Sequence, residues 1–269
     1  MLRTRATCAA FLLAVPVTAQ AGQPAPATPL WQVDFGRHYC SMIRAAGEGR
    51  PFTTAFIVIP GGVGTEIMLI PEAGAQLPRR IDRLVLMPGG RTIDLVTAEE
   101  GRRGGRPVLS LGGPDFRLRD LLAAASELRL QAGDEVVARI PLAGARAAVA
   151  AHHRCTAQVS REWGVDEAAL EALAVLPNST NRLDFREDDY PTSALAAGTQ
   201  GQVSIRLTVT AEGRVGDCNV VLSSGNAAID ERSCLVARRR GRFRPARDRA
   251  GRRVAIPVIY SIAWVIPGR

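Results

Sequence analysis

The feature that most constrains this chain is an unbroken alternation of apolar and polar residues, Val203-Ser-Ile205-Arg-Leu207-Thr-Val209. Strand side chains point to opposite faces in turn, so the run predicts a strand with one buried face. Ala211-Glu-Gly213 follows as a turn, with glycine where a positive φ is needed, and a second strand covers Arg214 to Leu222. Beyond Ser223-Ser224-Gly225 the pattern predicts a helix from Ala227 to Arg240, and Val254 to Trp264 reads as a last apolar strand. The order is strand, strand, helix, strand.

Short motifs punctuate the same stretch: Tyr190-Pro191, Gly201-x-Val203-x-Ile205, Gly213-x-Val215, Ser223-Ser224-Gly225, Ile229-Asp230 and Phe243-x-Pro245-Ala246. In this order and spacing they resemble the TonB C-terminal domain family. The resemblance covers 190–264, under a third of the chain. It implies a β-β-α-β domain whose last strand receives an extended segment of an outer-membrane TonB-dependent receptor. The residues then expected at the contact are Tyr190, Pro191, Val254, Ala255, Ile256, Pro257, Val258, Ile259, Tyr260 and Ile262. Full TonB proteins keep a membrane helix and a long Pro-rich spacer before this domain. Here the prolines near the start are Pro24, Pro26 and Pro29, so the resemblance supports the binding module, linked to TonB-dependent transport; the alternative is a periplasmic structural or envelope-polymer-binding protein without energy transduction.

A sheet of three strands that does not close has edges, and an edge strand carries unpaired N–H and C=O groups that another chain can join. Pro257 cannot donate to a ladder, which fits the last strand to an edge with that nitrogen facing outward. The rival expectations are that the edge pairs with a second copy of the chain, giving a homodimer, or is covered by the N-terminal part.

Charge is unevenly placed. Residues 190–269 hold 13 Arg against 5 acids, whereas 22–189 hold 19 Arg against 21 acids, and the chain has no Lys. Nine arginines, Arg238, Arg239, Arg240, Arg242, Arg244, Arg247, Arg249, Arg252 and Arg253, fall within 238–253. They predict a basic surface facing an acidic receptor segment or anionic envelope polymers. Nucleic acid is excluded by an export signal and by the lack of interleaved aromatic residues other than Phe243.

That signal is residues 1–21: Arg3 and Arg5, the apolar run Cys8–Val17, and the small-residue site Ala19-Gln-Ala21. It predicts cleavage and a periplasmic protein; an uncleaved inner-membrane anchor is the alternative. Residues 22–157 read as a separate, antiparallel β-rich domain with one or two helices, so the fold class is α+β. Strands are expected at 54–59, 65–70, 81–87, 92–96, 107–111, 128–130 and 135–140, with helices at 118–125 and 143–155. Pro60-Gly-Gly-Val-Gly64 reads as a hairpin loop and not as a phosphate cradle, since no Lys-Ser/Thr pair follows. Residues 158–189 read as a connector with a short helix at 165–173, leading into the domain 190–269.

No nucleophile-and-base arrangement appears, so no enzyme and no cofactor are expected. His152-His153 read as a solvated helix end, because neighbouring helical positions point about 100° apart and cannot share an ion. Glu99-Glu100 and Asp188-Asp189 read as solvated surface. Once the signal is removed four cysteines remain, an even number in an exported protein, and they allow three disulfide connectivities. Bridges confined to each domain would be Cys218–Cys234 and Cys40–Cys155; no metal site is expected.

Overall fold

The computed structural model describes residues 31–46, 52–95, 97–103, 105–113, 117–180, 183 and 185–266. The signal segment 1–21 lies outside them. Strand-length apolar runs build two antiparallel sheets in the first half. β1 (Trp31–Phe35), β2 (Cys40–Arg44), β3 (Phe52–Val58), β4 (Thr65–Pro71), β7 (Thr97–Arg103) and β8 (Arg106–Gly113) pair in the order β1-β2-β3-β4-β8-β7. β5 (Arg83–Met87), β6 (Arg91–Asp94), β9 (Glu127–Ala132) and β10 (Glu135–Pro141) pair as β10-β9-β5-β6. Buried Met42, Phe56, Ile67 and Leu69 from the first sheet meet Leu84, Leu128 and Leu130 from the second. α1 (Leu118–Ala124) and α2 (Ala145–Glu162) add Leu118, Leu122 and Val149 to this core.

The Ala-rich helix runs seven residues further than the sequence predicts, to Glu162, and carries His152 inward. His152 is fully buried, with Nε2 3.0 Å from the Cys40 carbonyl oxygen. Burial pulls its pKa down to about 4, so the ring is neutral at neutral pH. His153 lies 2.5 Å from Asp120 Oδ1. The expected solvated helix end is therefore wrong for His152, which packs against β2, whereas His153 stays partly exposed beside α1.

The second half holds a three-stranded antiparallel sheet. β12 (Gly201–Val209) is central, between β13 (Val215–Leu222) and β17 (Ile256–Trp264). α5 (Ala227–Arg240) packs on the face carrying Val203, Ile205, Leu207 and Val209. It starts where the Asn226 side chain accepts from the Ala228 and Ile229 N–H groups, as an N-cap must. Two-residue ladders, β11 (Asn178–Ser179) with β14 (Phe243–Arg244) and β15 (Ala246–Arg247) with β16 (Arg253–Val254), trim its margins. The β-β-α-β order of the sequence reading is present.

Gly213 explains one motif. Its φ is +76°, and a Cβ there would lie 2.1 Å from the Phe243 carbonyl oxygen. That approach lets the Phe243 N–H donate to the Gly213 carbonyl at 2.9 Å, tying the Gly-x-Val turn to the Phe-x-Pro-Ala segment.

Residues 158–189 do more than connect. α3 (Glu167–Glu171) and its flanks bury Val165, Leu170, Leu173 and Leu176 in the core of the C-terminal sheet. Cys40–Cys155 joins β2 to α2, and Cys218–Cys234 joins β13 to α5. Replacing Cys218 and Cys234 together by alanine opens a loop of 16 residues and is expected to cost about 3 kcal/mol, read by denaturant titration.

Candidate functional site

β17 pairs with β12 in the register Leu207↔Val258, Ile205↔Tyr260 and Val203↔Ile262. Those even-numbered side chains face α5. The Ile259 N–H donates away from β12, to the Gly61 carbonyl at 3.0 Å. Alternate residues of a strand direct their backbone groups alike, so Pro257, Ser261 and Ala263 also face outward. The outward proline nitrogen expected at Pro257 is what the register gives. β17 is an edge strand, as expected, but it starts at Ile256. Val254 and Ala255 are not part of it: Val254 pairs with Ala246 in the small ladder, and Ala255 separates the two strands.

The face of this sheet turned away from α5 is not bare. Ser204 Oγ lies 2.9 Å from His38 Nδ1 in the β1–β2 connection and 2.7 Å from Ser261 Oγ. Burial, then the charge of Arg37, lowers the His38 pKa. Arg206 donates to the Gly164 carbonyl, just past α2, at 3.4 Å. Ile59 and Val63, flanking the two glycines of the β3–β4 loop, pack against the same core. The N-terminal sheets thus cover this face and, at Ile259, the edge itself.

Beyond Ile259 the edge is clear. Among the described residues, none hydrogen-bonds to the outward backbone groups of Ser261 or Ala263, and Ala263 is exposed. A cavity of about 380 Å³ opens beside them, lined by Tyr190, Leu195, Ile262, Trp264 and Val265 among others. Tyr190 forms its wall: the phenol donates to the Thr199 carbonyl at 2.7 Å and the ring stands edge-on to Trp264 at 5.3 Å. Tyr260 points the other way, into the core beside Phe243, where burial raises its pKa. Ile256 and Val258 are likewise core residues, buried in the cluster that also holds Val203, Ile205, Leu207 and Val209.

Asp189 is buried, not solvated surface. Its carboxylate accepts from the Arg186 N–H at 2.9 Å, from Arg232 at 2.6 Å and from Arg240. Burial opposes its charge, but the Arg186 N–H and the two guanidinium groups outweigh it and hold the carboxyl below its usual range. The pair fastens the entry to Tyr190-Pro191 onto α5. It also removes Arg240 from the expected basic surface. Arg238 donates to the Cys218 carbonyl at 2.6 Å, capping the other sheet edge. Arg242 holds the Gly241 carbonyl, Arg247 that of Gly251, and Arg252 the Asp248 carboxylate. Arg238 and Arg252 remain exposed despite these bonds, and Arg239, Arg244, Arg249 and Arg253 are exposed too. No group of three His, Cys, Asp or Glu side chains among the described residues is placed to hold a metal ion.

The family model described as Gram-negative bacterial TonB protein C-terminal matches residues 186–266. A solution structure of the TonB C-terminal domain of Pseudomonas aeruginosa is 30% identical over 89% of its own length and 35% of this chain, with a TM-score of 0.28. In its C-terminal part, this chain belongs to the TonB C-terminal domain family. No curated protein matches it. The TonB-like segment takes in the three-stranded sheet, α5 and the buried Asp189, whereas residues before 186 lie outside the match. No helix among the described residues is long and apolar enough to cross a membrane. The residues missed by sequence reasoning are Gly61, His38, Ser261 and Ala263. Only Gly61 left a signal, a glycine pair inside an otherwise apolar hairpin.

Proposed function

We propose that this is an exported envelope protein whose TonB-like domain binds an extended segment of an outer-membrane TonB-dependent receptor by strand addition on β17. The observation that carries this is the clear edge at Ser261–Ala263 beside a mostly apolar cavity whose rim includes Arg186 and Glu187. Backbone bonds along such an edge supply affinity, and a pocket for alternate side chains supplies specificity. Receptor binding is a periplasmic task, in keeping with the signal read at residues 1–21. The alternative partner, an anionic envelope polymer on the arginine surface, is less favoured, because Arg238, Arg240, Arg242, Arg247 and Arg252 are engaged within the fold.

Ala263→Pro tests the reading. Proline removes one outward N–H and places its ring on the edge, while the inward bonds to β12 stay intact. The variant is expected to keep its melting temperature within a few degrees and to lose about tenfold or more in affinity for a receptor peptide, by calorimetry. Binding as tight as the parent's removes this edge from consideration. Sedimentation of the same pair of proteins reads the rival homodimer: a dimer that Ala263→Pro dissociates assigns the edge to a second copy.

A further inference from the structure

Strand addition needs a run of outward N–H and C=O groups, and the middle of that run on β17 is taken. The Gly61 carbonyl accepts the Ile259 N–H at 3.0 Å, which is the bond an added strand would make. The loop that supplies it is fitted closely. Gly61 has φ +68°, a conformation side chains rarely adopt, and a Cβ there would lie 3.0 Å from both Ile259 Cγ1 and Val165 Cβ. A Cβ on Gly62 would lie 2.8 Å from the Ile59 carbonyl oxygen. Ile259 is 1% exposed.

The loop is also held from behind. The Gly61 N–H donates to Glu167 Oε1 at 3.4 Å, and the Ser160 hydroxyl donates to the same oxygen at 2.9 Å. Oε2 accepts from Thr156 at 3.0 Å and from the fully buried Arg119 at 3.3 Å. A carboxylate fixed by three side chains therefore holds the N–H of the residue whose carbonyl caps the strand.

We propose that the β3–β4 loop, residues 60–64, is an internal occupant of the receptor edge, and that a partner strand extending past Ser261 must first displace it. This rests on the strand-addition reading of β17. The closed arrangement lowers the apparent affinity by the fraction of molecules in which the loop is released. The N-terminal sheets then act as a regulator: anything that draws the loop or Glu167 away opens the full edge, and a bound strand favours the released loop in return.

The test uses the full chain and two variants: Gly61→Val, strained at its φ, and Gly62→Ala, whose Cβ would crowd Ile59 (carbonyl oxygen 2.8 Å, Cβ 3.1 Å) and only touch the Ile259 carbonyl at 3.5 Å. The probe is a synthetic decapeptide copied from the extended periplasmic segment of an outer-membrane receptor of the same cell. Thermal melts confirm folding, amide hydrogen exchange reads Ile259, and calorimetry reads the peptide. The expected result is faster exchange at Ile259 in either folded variant and peptide binding at least fivefold tighter than the parent's. Unchanged exchange at Ile259 in both variants overturns the loop as occupant. Faster exchange with equal, measurable peptide binding overturns the regulation and leaves strand addition standing. Faster exchange with no binding by any of the three proteins overturns both.

Discussion

Replacing Asp189 by alanine is expected to destabilise the TonB-like domain by about 3–5 kcal/mol, because it leaves two arginines facing a buried site without their partner. The residue is 2% exposed and sits between the connector and α5, so the loss frees the Tyr190-Pro191 entry as well as the helix. Asp189→Asn separates charge from shape: it keeps the volume and one acceptor, and it should lose less. Chemical denaturation followed by tryptophan fluorescence reads both, since Trp264 packs on Tyr190. The pH dependence has a definite sign. The folded carboxyl titrates below its unfolded value of about 4, so its contribution is complete above that pH. It fades as the pH falls through the folded pKa. The parent should weaken on acidification in that window, and the alanine variant should lack this component.

Converting both Cys40 and Cys155 to alanine is expected to cost about 4–5 kcal/mol, the largest effect among the two bridges. The sequence separation is 115 residues against 16 for Cys218–Cys234, and the entropy that a cross-link removes from the unfolded chain grows with loop length. The melting temperature should fall by roughly 10–20 °C in a chain of this size. The bridge is buried and pins β2 to α2 beside His152, which sits against the Cys40 carbonyl. A smaller loss than that of the Cys218–Cys234 pair would mean that the unfolded chain is already held near this geometry by other contacts.

The C-terminal sheet was legible because its evidence is local. Alternation over Val203–Val209, the turn at Gly213 and the cap at Asn226 each act within a few residues, and the strand order followed from them. β1, β2 and β7 were missed because Trp31-Gln-Val-Asp-Phe, the short Cys40–Arg44 and Thr-Ala-Glu-Glu-Gly-Arg-Arg at 97–103 carry little alternation or apolar signal; pairing with β3 and β8 makes strands of β2 and β7, and β2 in turn pairs β1. The charged residues failed for the same reason in reverse. Asp189, His152 and Arg240 looked solvated because their partners are distant in sequence: Arg232, Cys40 and Asp189 itself. The edge on β17 was read from Pro257, but its cover came from Gly61, about 200 residues away. No periodicity within either segment carries that contact.

The covered second face of the sheet matters to anyone recoding this protein. A designer reading β12 would treat Ser204, Arg206 and Thr208 as three interchangeable surface positions and fill them with whatever favours solubility. Ser204 is 0% exposed and bridges His38 and Ser261, so a lysine or glutamate there would have no room and no water. Arg206 is only half-buried, but its guanidinium reaches across to Gly164. Of the three, Thr208, paired with the outward Pro257, is the one to randomise first. Excising the sheet to work on it alone would turn the same face into new surface, so libraries are better built in the whole chain.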